Sequence, residues 1–198
     1  MKKNIGILIF DGAEVLDFAG PFEVFAVASE LRDHRLFHVF TVAKEKRLIT
    51  AVNGLLVHPN FTFSDSPRLD ILIIAGGSGS RALLHDAATL AWIQKVHETT
   101  EFTASICSGA RLLAKLNLLH EKPYCTHQQV YAHLQELAPT GIPQKEKRFI
   151  QSDQRLFTSG GISAGIDLSF HLLEKIAGRE LVLETAKYME YELCRNAN

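Results

Sequence analysis

The sequence predicts an α/β fold in which helices cover both faces of a mostly parallel sheet. First, strand-like segments alternate with helix-like segments along most of the chain. Second, the runs IGILIF at 5–10 and DILIIA at 70–75 are apolar almost throughout rather than alternating, which is typical of strands buried on both faces. Ligands of such sheets bind beyond the carboxyl ends of the strands, so we expect the functional site there.

Length and composition indicate one globular domain over residues 1–198, without an internal repeat, a low-complexity segment or a linker. The net charge of -1, from 21 basic and 22 acidic residues, gives no electrostatic basis for binding nucleic acid or an anionic membrane. No apolar run approaches the ~20 residues of a membrane helix, and the N-terminal run is too short for a signal peptide. We therefore expect a soluble, cytoplasmic protein that acts on a small molecule.

Apolar spacing and turn residues predict the individual elements. Strands are predicted at 5–10, 37–42, 70–75, 103–106, 149–150 and 156–159, with short extended segments around the Asn53-Gly54 turn and at 122–127. Helices are predicted at 16–31, 83–99, 109–116, 128–137, 164–176 and 179–191. Pro21 is expected in the first turn of the first helix, where a proline is tolerated.

Cys107 lies where the strand at 103–106 turns into the helix at 109–116. The small residues Ser108 and Gly109 allow a close approach of strand and helix, as in a nucleophile elbow with a thiol in place of the serine. Unpaired amides of the first helical turn would favour a thiolate, so we expect a lowered pKa and a nucleophilic sulfur. The alternative is a small buried cysteine without a chemical role.

The remaining cysteines and the histidines predict neither disulfides nor a metal centre. Cys107, Cys125 and Cys194 are an odd number without metal-type spacing, so reduced thiols are expected. No histidine pair has an HxH or HxxxH arrangement with a carboxylate, and no other cofactor is indicated. His127 is distinguished by its position, because it follows an extended segment at the expected site.

The turn Gly76-Gly77-Ser78-Gly79 follows the strand at 70–75. It lacks the GxGxxG and GxxxxGK[ST] patterns, so a nucleotide site is not indicated. Read together with Cys107, the turn and the Ser108 amide are a candidate oxyanion hole. A plain tight turn is equally consistent with these residues.

Asp17 lies among apolar residues in the segment VLDFAGP, after the first strand. A carboxylate there is either an N-terminal helix cap or a desolvated group with a raised pKa beside the site. Parallel strand order places Asp17 at the same end of the sheet as Cys107, which makes a carboxyl–thiol contact feasible. Glu14 is a competing candidate, and its spacing does not separate it from Asp17.

Five segments in order resemble the ThiJ/PfpI superfamily, and most of all its isonitrile hydratase branch: DGAEVLDFAGPFEVF, IIAGGSG, ASICSGARLLAKLNLL, THQQVYAHL and FTSGGISAGIDLSFHLLEKIAG. The resemblance covers nearly the whole chain and implies a flavodoxin-like three-layer sandwich with a nucleophile elbow. It implies that Cys107 is the nucleophile and that Asp17 is its acidic partner. It also implies that Gly77 and Ser108 donate backbone amides and that His127 stands near the pocket.

The function implied by the resemblance is the addition of water to an isonitrile through Cys107, which yields an N-formamide. A cysteine-based redox or stress sensor is one alternative, since a reactive thiol is also a target of oxidation. Glyoxalase- or deglycase-like action on small dicarbonyls, with the same thiol and His127, is another. Ser108 stands where peptidase members carry histidine and hydratase members commonly carry threonine, which argues against peptidase activity and leaves the substrate open.

The resemblance also bears on partners. It implies a homodimer, with Phe22 and Phe25 on the helix beside Asp17 as candidate interface residues. Related transcription regulators carry an additional C-terminal helix-turn-helix, whereas this sequence ends at Asn198 just after its last predicted helix. We therefore expect a small-molecule substrate, and neither nucleic acid nor a membrane as a partner.

Overall fold

A computed structural model describes residues 2–193. The strands are β1 (Lys3–Leu8), β2 (Phe37–Ala43), β3 (Ile49–Thr50), β4 (Leu56–Val57), β5 (Phe61–Thr62), β6 (Ile71–Ile74), β7 (Phe102–Ser105), β8 (Pro123–Tyr124), β9 (Ile142–Pro143), β10 (Phe149–Gln151) and β11 (Leu156–Ser159). The helices are α1 (Val15–Glu30), α2 (Ser80–Leu83), α3 (Ala87–Thr99), α4 (Ala110–Lys115), α5 (Tyr131–Leu137), α6 (Ala164–Ala177) and α7 (Arg179–Tyr188). Short 3-10 helices lie at Val52–Gly54, Cys107–Gly109 and Gln128–Val130.

Seven strands form the central sheet in the order β10-β11-β7-β6-β1-β2-β5. Neighbouring strands are parallel except for β10 and β11, which pair antiparallel. Every residue of β6 is buried, as its continuous apolar run predicts for a strand covered on both faces. The predicted flavodoxin-like α/β fold with a mostly parallel sheet is confirmed.

Two small sheets lie outside the central one. β3 and β4 pair antiparallel around the predicted Asn53-Gly54 turn, and β8 pairs with β9 in parallel. Helices α1, α6 and α7 pack together, and α1 also packs against β2. In a second group, α4 contacts both α2 and α5.

The first helix differs from the prediction in the place of its proline. Pro21 is the seventh residue of α1 and lies inside the helix rather than in its first turn. A proline has no amide hydrogen, so it cannot donate to the carbonyl of Asp17 four residues earlier. Buried side chains on both sides of Pro21, including Phe18 and Val24, anchor the helix against the sheet, and this packing outweighs the local preference.

Two other helix predictions need correction. The helix expected at 83–99 begins only at Ala87, because the Asp86 side chain accepts hydrogen bonds from the amides of Ala88 and Thr89 and so caps α3 there. The short helix α2, which ends at Leu83, was not predicted. The last helix ends at Tyr188, three residues before its predicted end at Tyr191. The edge strand β5 was not predicted, since two residues carry no recognisable period.

Phe25 is part of the internal core. Its side chain is fully buried within the chain and meets Phe37 edge to face, with ring centroids 5.5 Å apart. The expectation that Phe25 contributes to a subunit interface is therefore wrong. Phe22 is partly buried against the same core.

Candidate functional site

Four adjacent parallel strands, β11, β7, β6 and β1, end at one edge of the sheet, and the segments after them form the candidate site. Cys107 follows β7, and Gly76 and Gly77 follow β6. The segment after β1 leads into α1, which carries Asp17 in its first turn, and the segment after β11 contains Ile162. The strand order thus brings residues together that are far apart in the sequence.

Cys107 occupies a strained turn between β7 and α4. Its φ of +56° lies in the left-handed region, which residues with a Cβ seldom adopt. The Cys107 amide donates to the carbonyl of Gly160 at 3.1 Å, and its carbonyl accepts from Thr126 Oγ1 at 2.7 Å. These bonds fix the strand–turn–helix geometry of a nucleophile elbow.

Asp17 is the third residue of α1 and has no exposed surface. Its Oδ2 accepts a hydrogen bond from the Gly76 amide at 3.0 Å, whereas Oδ1 is buried without a hydrogen bond of ordinary geometry. Glu14 holds the cap position of α1, so Asp17 is not the helix cap. Burial raises the pKa of Asp17 to about 7, and the nearby charge of Glu14 adds to this shift.

The carboxyl group and the thiol meet across Gly76. A Cβ added to Gly76 would lie 2.8 Å from Asp17 Oδ2, 2.8 Å from the Cys107 Cβ and 2.6 Å from the Ser108 amide nitrogen. Only glycine permits this close approach of three groups. The contact expected between Asp17 and Cys107 is therefore present, and each group shifts the pKa of the other.

The expectation of a lowered thiol pKa is wrong. Burial, followed by the negative charge of Asp17, raises the pKa of Cys107 to about 12. The backbone amides of Ser108 and Ile162 favour the thiolate, but they do not outweigh these two effects. The resting site therefore holds a neutral thiol beside a carboxyl group that titrates near neutral pH, and the two titrate as a pair.

The predicted oxyanion donors differ in availability. The Gly77 amide donates to Ser108 Oγ at 2.8 Å, so it is already occupied. Gly77 has a φ of +116°, and a Cβ there would lie 2.1 Å from the carbonyl oxygen of Gly12, which explains the glycine. The Ser108 amide lies beside the Cys107 sulfur. The Ser108 amide is therefore the remaining candidate donor for the predicted oxyanion hole.

His127 lies near Cys107, as expected, at the start of the 3-10 helix before α5. Its Nδ1 accepts from the amide of Gln129 at 3.3 Å. The ring packs against the backbone of Gly161, where an added Cβ would lie 2.3 Å from His127 Cδ2. A chemical role for His127 stays a prediction.

A pocket of about 260 Å³ opens beside Cys107. Side chains with charge or hydrogen-bonding capacity line much of it, among them those of Glu14, Arg81, Arg111 and His127. Sequence reasoning missed both arginines, because no motif marks Arg111 on the helix after the elbow or Arg81 on the helix after the glycine turn. It also missed the Ile162 amide, although the small-residue turn Ser159-Gly160-Gly161 at the end of a strand could have revealed it.

Other features of the described residues bear on the chemistry. Cys107 and Cys125 are buried free thiols, whereas Cys194 lies outside the described residues. Across 2–193, no cluster of three or more His, Cys, Asp or Glu side chains is placed to hold a metal ion. Within the same range, no helix combines the length and apolar character needed to span a membrane.

Comparison with known proteins identifies the family. Residues 3–175 match the family model described as the DJ-1/PfpI family. The chain belongs to the DJ-1/PfpI family. An isonitrile hydratase from Pseudomonas putida is 32% identical over 195 residues, which cover 98% of this chain and 78% of that protein. A crystal structure of a ThiJ/PfpI family protein from Pseudomonas syringae is similar with a TM-score of 0.86 at 26% identity, covering 100% of this chain and 78% of that one.

The DJ-1/PfpI relatives also include a regulator. The HTH-type transcriptional regulator GbdR from Pseudomonas aeruginosa is 27% identical over 98% of this chain, and the chain spans 52% of the length of GbdR. Members of the DJ-1/PfpI family are thus described both as an enzyme and as a regulator. Membership establishes the fold of this chain, and its activity has to be argued from the site.

Proposed function

We propose that this chain is an isonitrile hydratase-like enzyme, in which Cys107 adds to an isonitrile and water then releases an N-formamide. The observation that carries the proposal is the buried Asp17 carboxyl group facing the Cys107 thiol across Gly76. A carboxyl pKa of about 7 lets the group both accept and donate a proton near neutral pH. The isonitrile hydratase from Pseudomonas putida, at 32% identity, supports the same chemistry.

The first half of the reaction forms a covalent intermediate. The Cys107 sulfur bonds to the terminal carbon of R–NC, while the thiol proton passes to the ionised Asp17 carboxylate. Asp17 then gives this proton to the same carbon, which yields the thioimidate R–N=CH–S–Cys107. Because the resting thiol has a pKa of about 12, proton removal by Asp17 has to accompany the attack.

The second half regenerates the thiol. A water molecule adds its hydroxyl group to the thioimidate carbon and a proton to the nitrogen. The C–S bond then breaks, and the hydroxyl proton returns through Asp17 to the Cys107 sulfur. The products are R–NH–CHO and the free enzyme, so one water is consumed and no oxidant or reductant is needed. The amides of Ser108 and Ile162 stabilise negative charge on the sulfur as it leaves.

The raised thiol pKa weighs against redox sensing. Oxidation by peroxide depends on thiolate, and burial and Asp17 reduce its population in the free protein. Addition of the thiol to an isonitrile or to a dicarbonyl differs, because the thiol proton is used on the substrate, at the isonitrile carbon or at the carbonyl oxygen. We place hydration ahead of glyoxalase- or deglycase-like action because the isonitrile hydratase from Pseudomonas putida is 32% identical to this chain.

The test is to incubate purified protein with several alkyl and aryl isonitriles and to follow N-formamide formation. Turnover is expected for the wild type and is expected to disappear in Cys107→Ser. Cys125→Ser is the matched control, since Cys125 is a second buried thiol that does not line the pocket and should retain activity. No turnover with any isonitrile would contradict the proposal. Loss of methylglyoxal in the same samples would instead support the dicarbonyl alternative.

The cytoplasmic location, the homodimer and the absence of nucleic-acid binding belong to the proposal as well. Size-exclusion chromatography with light scattering tests the oligomeric state, and a monomer at all concentrations would remove the homodimer. Binding to duplex DNA at moderate salt tests the last point, which the similarity to GbdR makes worth measuring.

A further inference from the structure

Arg111 is a buried cation without an acidic partner. It lies four residues after Cys107, in the first turn of α4, and is only 4% exposed. Its Nη1 donates to Ser80 Oγ at 2.9 Å, and its Nε donates to His133 Nδ1 at 3.1 Å. Neither acceptor belongs to a carboxylate. Throughout residues 2–193, no carboxylate pairs with this guanidinium, and its Nη2 has no protein acceptor.

A second cation stands close to the first. Burial lowers the pKa of Arg111, and the positive charge of Arg81 lowers it further. An arginine stays protonated despite such shifts, so the free protein holds two neighbouring positive charges. A buried charge is costly when no opposite charge compensates it. A ligand with a negative group would supply the compensation that the described chain lacks.

Both arginines line the same pocket as Cys107. The sulfur and the guanidinium are within electrostatic reach, because a Cys107 thiolate raises the pKa of Arg111. Glu14 is the carboxylate among the lining residues, but it forms no ion pair with either arginine, and its charge acts on Asp17. The pocket therefore has a cationic part close to the nucleophile.

We propose that this pocket selects substrates with a carboxylate group, which Arg111 and Arg81 bind while Cys107 reacts with a nearby carbon. The choice of an isonitrile as the reactive group rests on the proposed function, so the substrate class is an isonitrile that carries a carboxylate. Arg111 is held by Ser80 and His133, which leaves Nη2 to donate to the ligand. The exposed Arg81 supplies further charge-assisted donors.

The first test does not depend on isonitrile chemistry. Iodoacetate and iodoacetamide alkylate the same thiolate and differ mainly in charge, so a change in thiol pKa cancels in the ratio of their rates. Rates at Cys107 are followed by peptide mass spectrometry, with N-acetylcysteine methylamide as the free-thiol reference. At Cys107, the ratio of the iodoacetate rate to the iodoacetamide rate is expected to exceed that of the free thiol at least about threefold, which is the effect of a partly solvent-exposed ion pair.

The variants assign that ratio to the two arginines. Arg81→Gln and Arg111→Gln are each expected to lower the iodoacetate-to-iodoacetamide ratio towards the free-thiol value. Arg111→Lys should restore only part of the ratio, because lysine lacks the planar set of N–H donors of the guanidinium group. Arg179→Gln is the matched control, since Arg179 is exposed and pairs with Glu174 outside the pocket. If Arg111→Gln does not fold, the exposed Arg81 still decides the test. A wild-type ratio equal to the reference, or one unchanged in Arg81→Gln and in any folded Arg111 variant, overturns the proposal.

The second test uses isocyanoacetate and its methyl ester. Wild type is expected to have the higher kcat/KM for isocyanoacetate, through a lower KM, and Arg81→Gln should reverse the preference. Turnover of both compounds without a preference for the acid overturns the carboxylate subsite and leaves hydration intact. An arginine-dependent alkylation ratio without turnover of either compound, or of the alkyl and aryl isonitriles tested above, supports the subsite and contradicts hydration, so the two failures are distinguishable.

Discussion

At the scale of single residues, burial determines the protonation states of Asp17 and Cys107. Asp17 has no exposed surface, and Cys107 is 7% exposed. The pKa of each is raised, to about 7 and about 12, with desolvation as the largest cause. When the pair has lost one of its two protons, the negative charge therefore lies mainly on the Asp17 carboxylate. In the proposed reaction, that distribution would let Asp17 accept the thiol proton at the moment of attack.

Removing the charge of Asp17 tests this coupling. In Asp17→Asn the negative charge beside the sulfur is gone, so the pKa of Cys107 is expected to fall below that of the wild type. Hydration is expected to be lost, because an amide cannot carry a proton between sulfur and carbon. The pH dependence of Cys107 alkylation measures the pKa, and the melting temperature is the control for folding. An unchanged pKa of Cys107 with retained turnover would contradict the role of Asp17 and make Glu14 the next carboxylate to test.

The sequence predicted these two residues better than their protonation states. The small residues around Cys107 and the isolated carboxylate Asp17 pointed to the site. The thiol pKa could not be read from them, because it depends on how tightly Asp17 is buried against Cys107 across Gly76. Local amides at an elbow favour thiolate, but burial of the thiol, followed by the negative charge of Asp17, has the larger effect.

At the scale of elements, the segments after β6 and β7 are joined by hydroxyl groups. Ser108 Oγ accepts from the Gly77 amide at 2.8 Å and donates to the Gly77 carbonyl at 3.0 Å. Ser80 Oγ also donates to that carbonyl, at 2.8 Å, and in turn accepts from Arg111. The cluster links the elbow, the glycine turn and the cationic part of the pocket.

Deleting one hydroxyl is expected to loosen this junction. Ser108→Ala leaves the buried Gly77 amide without its acceptor, which should lower the free energy of unfolding by about 1–3 kcal/mol. Ser108→Thr keeps the hydroxyl and is the matched control, expected to retain most of the stability. Urea unfolding followed by circular dichroism measures both variants. Equal losses in the two would show that side-chain volume, and not the hydrogen bond, determines the effect.

Predictions of elements succeeded where apolar periodicity was strong and failed where single contacts decided the boundary. The buried strand β6 and the amphipathic helix α6 were predicted close to their observed limits. The break between α2 and α3 depends on the Asp86 side chain, and the continuity of α1 through Pro21 depends on packing against neighbouring elements. Neither effect leaves a periodic signal in the sequence.

At the scale of the whole molecule, strand order assembles the site. Periodicity predicted parallel strands, but spacing along the chain does not say which strands are neighbours. That information came only from the resemblance of five motifs to a known superfamily, which implies a flavodoxin-like sandwich. The observed sheet places β1, β6, β7 and β11 side by side. The sequence did not predict the cationic part of the pocket, because Arg111 and Arg81 come close together only in the folded chain, where α4 positions Arg111.

The raised pKa of Asp17 has a consequence for global stability. An aspartate with a pKa of 3.8 in the unfolded chain and about 7 in the folded chain binds its proton more tightly when folded. Between these two values the folded protein holds more protons than the unfolded one, so stability falls as the pH rises. The stabilising contribution is complete below about pH 4 and is lost as the pH passes through about 7.

Comparing wild type with Asp17→Asn isolates this effect, because the other titrating groups, including His97 and His171, are common to both proteins. From pH 5 to pH 8 the wild type is expected to lose roughly 2–3 kcal/mol relative to the variant. Urea unfolding at several pH values gives the two free energies of unfolding, and pH 8 stays below the ordinary pKa of a thiol. Parallel stability curves for the two proteins would mean that Asp17 titrates as an ordinary exposed aspartate, and the proton transfer proposed for the reaction would then lose its basis.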